Sequence, residues 1–270
     1  MAAFQLYAAL TTPFRADGSV DVEAMRAHVE LLADDGIDGI IPAGTTGEGP
    51  LLEEAEVASV IATAVRAAAG RMEVVAHVGR ASTQATLRLA RVAAGVGADA
   101  VIAVVPYYYS HSPEALLSHY RALLEAATDS TVLAYTFPDR TGNELPPEVL
   151  DTLAGEGLAG LKDSTGSAER HAEYLEVARR HEALRVFVGA ERLALQSLKG
   201  GGAGSISALA NARADVLLRL RDERSAEAQQ AVDDARAELP GIAAVKRAVA
   251  ERLSERGATY PAVPRAPIAV

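Results

Sequence analysis

A lysine at the end of a short apolar run is unusual for this chain. Residues 157–161 read Gly-Leu-Ala-Gly-Leu, and Lys162 follows directly. The chain has 26 Lys and Arg residues, of which three (Lys162, Lys199 and Lys246) are lysines and 23 are arginines. Both side chains can carry a positive charge, but only lysine can lose its proton and act as an amine nucleophile. Lys162 is therefore a candidate nucleophile, with a strand-end lysine paired to a neighbouring acid as the alternative.

Hydroxyl groups and a guanidinium occur near the ends of other apolar runs. Thr45 and Thr46 lie in a glycine-rich segment, and Arg140 follows Tyr135 by five positions. A lysine amine that attacks the ketone of a 2-oxo acid forms an imine, which acts as an electron sink for making or breaking the adjacent C–C bond. Only the neutral amine attacks, and apolar burial favours that form.

Each of these polar groups suits one part of imine chemistry. A tyrosine hydroxyl linked to a threonine hydroxyl can move protons between the amine, the carbinol and solvent. The N–H and hydroxyl groups of Thr45 and Thr46 can hold the carboxylate of the 2-oxo acid, and Arg140 can bind a second carboxylate in bidentate fashion. Glu48 is expected to order its loop rather than act as an acid.

The periodicity of the chain predicts a scaffold that gathers these residues. Eight short apolar runs alternate with amphipathic helical patterns, and the predicted strands cover residues 5–10, 37–41, 73–78, 100–105, 131–135, 158–161, 185–188 and 204–207. Strands that are apolar on both faces are typical of a parallel sheet covered by helices, and this order predicts an α/β fold, a closed (β/α)8 TIM barrel. A doubly wound open sheet is the alternative, but no glycine fingerprint follows the first strand.

We expect a catalytic barrel over residues 1–221 and a C-terminal extension over residues 222–270, with extra helices that pack on the barrel. The chemistry of such barrels lies at the C-terminal ends of the strands. The candidate site residues all fall at predicted strand ends or just beyond them: Thr45, Thr46, Tyr107, Tyr108, Tyr135, Arg140, Lys162, Gly189 and Ile206. They would therefore face one mouth.

Composition argues against several classes of function. The net charge of −10 and the pI near 5.1 disfavour nucleic acid and anionic membranes as partners. The chain has no Cys, which excludes disulfides and thiolate metal sites, and its six His residues show no metal-ligand spacing, so no metal is expected. The N-terminus does not resemble a signal peptide, and no run of about 18 apolar residues occurs, so we expect a cytoplasmic protein.

Five segments resemble, in order, the signatures of the dihydrodipicolinate synthase / N-acetylneuraminate lyase family of class I aldolases. They are residues 44–48 (Gly-Thr-Thr-Gly-Glu), 106–108 (Pro-Tyr-Tyr), 135–142, 160–163 (Gly-Leu-Lys-Asp) and 204–207. The resemblance implies a (β/α)8 barrel and a pyruvate Schiff base on Lys162, with Tyr135 as the proton relay beside Thr45. It further implies that Thr45 and Thr46 bind the pyruvate carboxylate, that Gly189 and Ile206 line the pocket, and that no cofactor is needed beyond the lysine imine.

The resemblance also implies an assembly of subunits. In family members with the tyrosine relay, the second tyrosine of the Pro-Tyr-Tyr segment reaches into a neighbouring subunit's site. Tyr108 would take that part here, so a homo-oligomer is implied, a dimer at least and usually a tetramer. The small-molecule partners would be pyruvate and an aldehyde.

Two branches of the family stay open. Arg140 and the Tyr107-Tyr108 pair resemble the synthase branch, in which this arginine binds the carboxylate of aspartate semialdehyde, and we expect that branch. Thr136, where asparagine is common, and the segments 47–50 and 106–109 instead resemble aldolases of 2-keto-3-deoxy sugar acids. A catalytically silent barrel that only binds a 2-oxo acid is the alternative from another class.

Overall fold

Parallel strands hydrogen-bond in chain order and close into a barrel, as predicted. The computed structural model describes residues 4–128 and 130–268, and within them each strand pairs with the next and the eighth pairs with the first. The strands are β1 (Gln5–Ala8), β2 (Gly39–Ile40), β3 (Glu73–His77), β4 (Ala100–Val104), β5 (Thr131–Thr136), β6 (Gly160–Asp163), β7 (Arg185–Val188) and β8 (Gly204–Ser207). Strands β1 to β4 are shorter than the predicted segments, and β6 lies two residues later than predicted, so that it includes Lys162. The alternative of an open sheet is wrong.

A helix follows every strand, which covers the outer face of the barrel. The helices are α1 (Val22–Asp34), α2 (Glu54–Ala68), α3 (Thr83–Gly95), α4 (Pro113–Ala126), α5 (Pro138–Thr141), α6 (Pro147–Gly155), α7 (Ala168–Arg180), α8 (Ala194–Gly200), α9 (Ala214–Glu223), α10 (Ala226–Glu238) and α11 (Gly241–Glu255). Several begin at a side chain that accepts a hydrogen bond from the backbone three residues on, namely Asp21, Ser82, Ser112, Ser167 and Ser225. Such caps satisfy N–H groups that the helix itself leaves free.

The N-terminal end of the barrel is closed by large side chains. The ring of Tyr7 packs edge-to-face on Phe187 with 5.3 Å between ring centroids. Its hydroxyl donates to Glu73, whose carboxylate lies 3.6 Å from the guanidinium of Arg185. Burial is the main reason that the pKa of Tyr7 lies above its usual range. This end is packed, so any substrate must enter from the opposite mouth.

The two last helices extend the fold beyond the eight units. Helix α10 contributes Ala228 and Val232 to the barrel's own apolar core. Helix α11 packs against α1 in a second cluster that includes Val249 and Tyr260. The predicted boundary after residue 221 falls in the last turn of α9, and the division into two domains stays a prediction. None of the described helices is long and apolar enough to cross a membrane.

Candidate active site

Lys162 lies near the C-terminal end of β6 with its side chain directed into the barrel mouth. It pairs in register with Tyr135 on β5 and with Phe187 on β7. Its side chain is buried, with 7% of the residue surface exposed, and its Nζ lies 4.5 Å from the centre of the Tyr135 ring. Among residues 4–128 and 130–268, no acidic side chain forms an ion pair with it. A buried amine without an acid partner is what an imine-forming lysine needs.

The neighbouring acid, Asp163, faces away from Lys162 because successive strand residues alternate between faces. Its carboxylate accepts hydrogen bonds from the backbone N–H and the hydroxyl of Thr165, at 2.8 and 2.7 Å. Its other oxygen lies 2.8 Å from Nδ1 of the buried His171. Asp163 therefore fixes the β6–α7 loop, and the paired-lysine alternative does not hold for Lys162.

Tyr135 and Thr45 form the hydroxyl pair that the sequence predicts. The Tyr135 hydroxyl lies 3.4 Å from Oγ1 of Thr45 across the mouth. Thr45 and Thr46 occupy the β2–α2 loop, in which Glu48 N–H donates to the Thr45 carbonyl at 3.1 Å and closes a tight turn. The ring of Tyr135 itself lies against the Lys162 amine. The hydroxyl pair therefore lies in the same mouth as the amine, where it can take part in proton transfer.

One cavity collects most of the predicted residues. Its lining includes Thr45, Thr46, Tyr135, Arg140, Lys162, Gly189 and Ile206, together with Phe137, Ser164, Ala190, Glu191, Ala208, Arg236, Gly241, Ile242 and Val245. The two threonines are half-buried and Arg140 is exposed at the rim. The arrangement offers a nucleophile, a proton relay, a carboxylate-binding loop and a peripheral guanidinium in one open pocket.

Gly189 is required by the close packing around Lys162. A Cβ atom added at this position would lie 2.2 Å from Ser164 Oγ and 3.1 Å from Lys162 Cε. Its backbone N–H donates to the Asp163 carbonyl at 2.7 Å, which holds β7 against β6. The absence of a side chain therefore leaves room for the lysine stem.

The sequence model of the dihydrodipicolinate synthetase family matches residues 3–257 of this chain. The chain belongs to the dihydrodipicolinate synthetase family. Together with the strand-end lysine and its tyrosine neighbour, this membership shows that the protein is a lyase.

Relatives of this family member include characterised and uncharacterised proteins. An uncharacterized DapA-like lyase of Halobacterium salinarum is 36% identical over 259 residues, which cover 92% of this chain and 84% of that protein. A 4-hydroxy-tetrahydrodipicolinate synthase of Anaeromyxobacter dehalogenans is 39% identical over 204 residues, 75% of this chain and 68% of that protein. YagE, a prophage protein of the same family from E. coli K12, has been solved in complex with pyruvate. It superposes with a TM-score of 0.91 at 25% identity, covering 98% of this chain and 92% of that chain.

Tyr107 and Tyr108 of this lyase are not among the residues that line the cavity. Tyr107 is half-buried against the barrel core, whereas Tyr108 and Tyr109 are 84% and 70% exposed. Tyr108 has a left-handed φ of 81°, and its ring packs edge-to-face on Tyr109 at 5.0 Å. The β4–α4 loop therefore presents aromatic side chains to solvent, and the role of Tyr108 across subunits stays a prediction.

Sequence reasoning missed the side chains that complete the cavity of this lyase. Glu191 is 8% exposed and accepts a hydrogen bond from the Ser207 hydroxyl at 2.7 Å. Arg236 of α10 lies with its Nε 3.7 Å from Glu191, and Ile242 and Val245 of α11 form part of the wall. Glu191 stands three residues beyond the end of β7, so its place just after a strand was a usable signal. Nothing local in the sequence indicates that α10 and α11 reach the mouth.

His77 at the end of β3 packs behind Tyr135 instead of lining the cavity. Its ring lies edge-to-face with the Tyr135 ring at 6.1 Å and is buried. Burial, reinforced by the nearby charges of Arg80 and Lys162, lowers the pKa of His77 to about 3. The imidazole is therefore neutral at physiological pH and adds no positive charge beside the lysine.

Proposed function

We propose that this lyase forms a Schiff base between Lys162 and pyruvate and uses it to make or break a C–C bond. The observation that carries the proposal is the buried Lys162 amine, 4.5 Å from the ring of Tyr135 and without an ion-pair partner among the described residues. The hydroxyl contact between Tyr135 and Thr45 supports the proton transfers that imine formation requires. The pyruvate complex of the similar protein YagE supports the choice of 2-oxo acid.

The proposed steps follow from the positions of these groups. The Lys162 amine adds to the ketone carbon, Tyr135 delivers a proton to the carbinol oxygen, and loss of water gives the imine. A base removes a methyl proton from the imine to give an enamine. The enamine carbon bonds to the carbonyl carbon of an aldehyde, whose oxygen takes up a proton and becomes a hydroxyl group. Water then hydrolyses the imine, which frees Lys162, and the reverse sequence cleaves the same bond. No further cofactor is required, because the lysine imine itself is the electron sink.

For the second substrate we propose aspartate semialdehyde, which makes the enzyme a 4-hydroxy-tetrahydrodipicolinate synthase of lysine biosynthesis. Arg140 lines the cavity and its planar guanidinium suits a second carboxylate. Relatives with that name match at 39% identity. The unusual Thr136 does not weigh against this choice, because its side chain is buried and its hydroxyl accepts a hydrogen bond from Leu145 N–H rather than facing the cavity.

The second candidate is an aldolase of 2-keto-3-deoxy sugar acids, and Glu191 favours it. This nearly buried carboxylate lines the cavity and already accepts a hydroxyl hydrogen bond from Ser207. The same acceptor suits the hydroxyl groups of a sugar acid. The 36% identical relative is an uncharacterized lyase and does not favour either substrate.

Borohydride trapping followed by mass spectrometry tests the proposed Schiff base on Lys162 and the choice of second substrate. The protein is incubated with pyruvate and reduced, and the adduct is located by peptide mapping, which we expect to find on Lys162. The experiment is repeated with aspartate semialdehyde and with 2-keto-3-deoxygluconate. Turnover of the semialdehyde alone supports the synthase, and turnover of the sugar acid alone supports the aldolase. A folded protein without an adduct on Lys162 would overturn the mechanism in favour of a silent barrel.

We also propose a cytoplasmic homo-oligomer. The exposed Tyr108–Tyr109 pair on its left-handed loop is the feature that a partner subunit would cover. Sedimentation of the wild-type chain and of Tyr108→Ser measures the assembly directly. A wild-type monomer that is fully active would contradict a role for Tyr108 in a neighbouring site.

A further inference from the structure

A second buried lysine is tied to the loop that carries Thr45 and Thr46. Lys246 lies on α11 with none of its surface exposed, and its Nζ donates to Glu48 Oε1 at 2.7 Å. Glu48 is 1% exposed and belongs to the β2–α2 loop. The two residues are 198 positions apart in the chain. A buried ion pair of this kind is costly to break, because removing one partner leaves the other charge unpaired and out of water.

Glu48 needs such an anchor because its backbone is strained. Its φ is 59°, in the left-handed region that a non-glycine residue adopts at a cost of about 1–3 kcal/mol. This conformation lets Glu48 N–H donate to the Thr45 carbonyl and Gly49 N–H donate to the Gly44 carbonyl, at 3.1 and 2.9 Å. The turn that presents Thr45 and Thr46 to the cavity thus depends on a residue that surrounding contacts must hold in place.

The C-terminal segment supplies the remaining contacts. Arg265 N–H donates to Glu48 Oε2 at 2.6 Å, and Lys246 Nζ donates to the Val263 carbonyl at 3.1 Å. The Arg265 guanidinium binds Glu56 at 2.7 and 2.6 Å. It also lies over the ring of Phe14, which the Lys246 ammonium contacts as well, at 4.3 and 4.5 Å. Both oxygens of the Glu48 carboxylate are therefore bound by residues from the last part of the chain.

Helix α11, which carries Lys246, also forms part of the cavity wall. Val245, next to Lys246 in the chain, lines the cavity wall. Burial lowers the pKa of Lys246, and its hydrogen bond with the Glu48 carboxylate opposes that shift. The ion pair between Lys246 and Glu48 therefore persists only while α11 and the β2–α2 loop stay in contact.

We propose that Lys246 and the segment 263–265 are positioning elements of the carboxylate site, acting through Glu48 on Thr45 and Thr46. They fix the hydroxyl and N–H groups of the loop in the geometry that receives the carboxylate of a 2-oxo acid, and the identity of that ligand rests on the proposed function. Without Lys246, the unpaired Glu48 carboxylate moves toward water and takes the loop with it.

The test compares Lys246→Met with a matched control on the same helix. Arg252 of α11 binds Asp35 through two contacts at 2.8 and 2.7 Å, so Arg252→Met also loosens α11 but leaves the loop contacts intact. The first readout is amide hydrogen exchange of the peptide that covers residues 43–51. We expect exchange about tenfold faster in Lys246→Met than in wild type, and unchanged in Arg252→Met.

The second readout is the pyruvate concentration that gives half-maximal borohydride labelling of Lys162. We expect it to rise about tenfold or more in Lys246→Met, with full labelling retained at saturating pyruvate and no change in Arg252→Met. A general loss of folded protein would lower the extent of labelling without moving its midpoint. The variant Glu48→Gln/Lys246→Met removes both charges, so it tests the lost contact in a chain free of an unpaired carboxylate, and we expect both changes in the same direction but smaller than in Lys246→Met.

The two readouts separate this inference from the proposed function. Wild-type exchange rates over residues 43–51 in both Lys246 variants overturn the inference, whatever pyruvate does. Equal changes in Arg252→Met overturn it too, because they would reflect loosening of α11 as a whole. A wild-type protein that pyruvate does not label overturns the proposed function, and the exchange measurement then still decides whether Lys246 orders the loop.

Discussion

Two buried lysines in this barrel have similar aromatic neighbours and different polar partners. Lys162 and Lys246 each place Nζ 4.5 Å from the centre of an aromatic ring, Tyr135 in one case and Phe14 in the other. Both are more than nine-tenths buried. Lys246 also donates to the carboxylate of Glu48, whereas Lys162 has no acidic partner in the described parts of the chain.

The difference shows that burial alone does not make a lysine reactive. A carboxylate at hydrogen-bond distance stabilises the ammonium form and turns the residue into a structural cation. Lys162 has no such partner and its amine lines the cavity, where it can meet the carbonyl of a bound substrate. The third lysine, Lys199, is exposed on α8 and belongs to neither class.

The largest expected effect is on catalysis by Lys162→Met. Exchange of the pyruvate methyl protons with deuterated water, followed by proton NMR, reports enamine formation without a second substrate. We expect the exchange rate to fall by about 10⁴-fold or more, because a thioether cannot form an imine. Since no ion pair is lost and methionine is of similar length, the free energy of unfolding should change by about 1.5 kcal/mol or less. A large loss of stability would mean that Lys162 has a structural role like that of Lys246.

Lys246→Met should mainly reduce the stability of the fold, whereas Lys162→Met should mainly abolish the chemistry. We expect the free energy of unfolding in urea to fall by about 3–5 kcal/mol, because the buried Glu48 carboxylate is left without its partner. Adding Glu48→Gln should recover part of this loss, since the second change removes the unpaired charge. If the double variant is no more stable than Lys246→Met, the cost comes from packing and not from the ion pair.

Tyr135→Phe separates the proton relay from the nucleophile. The ring that packs on Lys162 is kept and only the hydroxyl is lost, so the fold and the final extent of borohydride labelling should match wild type. We expect the rate of labelling to fall by about 10²-fold, the size expected when one acid–base group is removed. Thr45→Val should slow it less, because Thr45 touches Tyr135 and not the amine. An unchanged rate in Tyr135→Phe would assign the relay to another group.

The sequence was sufficient for the features that depend on local pattern. Short runs such as Leu158–Leu161 and the residues that end them predicted the barrel and put Lys162 and Tyr135 at one mouth, because parallel strands in a barrel end at the same face. The family resemblance predicted the hydroxyl contact between Tyr135 and Thr45, which the structure shows at 3.4 Å.

Features that depend on long-range packing could not be predicted. Glu48 was expected to order its loop, but nothing near it in the sequence points to Lys246, 198 positions away. Helices α10 and α11 show only ordinary amphipathic patterns, so the approach of Arg236 and Ile242 to the cavity follows from how they dock on the finished barrel. The short helix α5 (Pro138–Thr141) was not among the predicted elements.

The smallest expected effect concerns His77, a buried imidazole that packs on Tyr135 near Lys162. Its pKa is about 3 in the folded protein and about 6.5 in an unfolded chain, so below pH 6.5 the unfolded state binds the extra proton. Its stability contribution is complete above pH 6.5 and falls as the pH drops toward 3. His77→Leu should therefore reduce the loss of unfolding free energy between pH 6 and pH 5 by about 1 kcal/mol. His28, which packs on Tyr260 and has its pKa lowered by burial to about 4, is unchanged in both proteins and contributes equally to their pH slopes. Identical pH slopes for the two proteins would show that His77 takes up its proton at the same pH in the folded and unfolded states, so that burial does not lower its pKa.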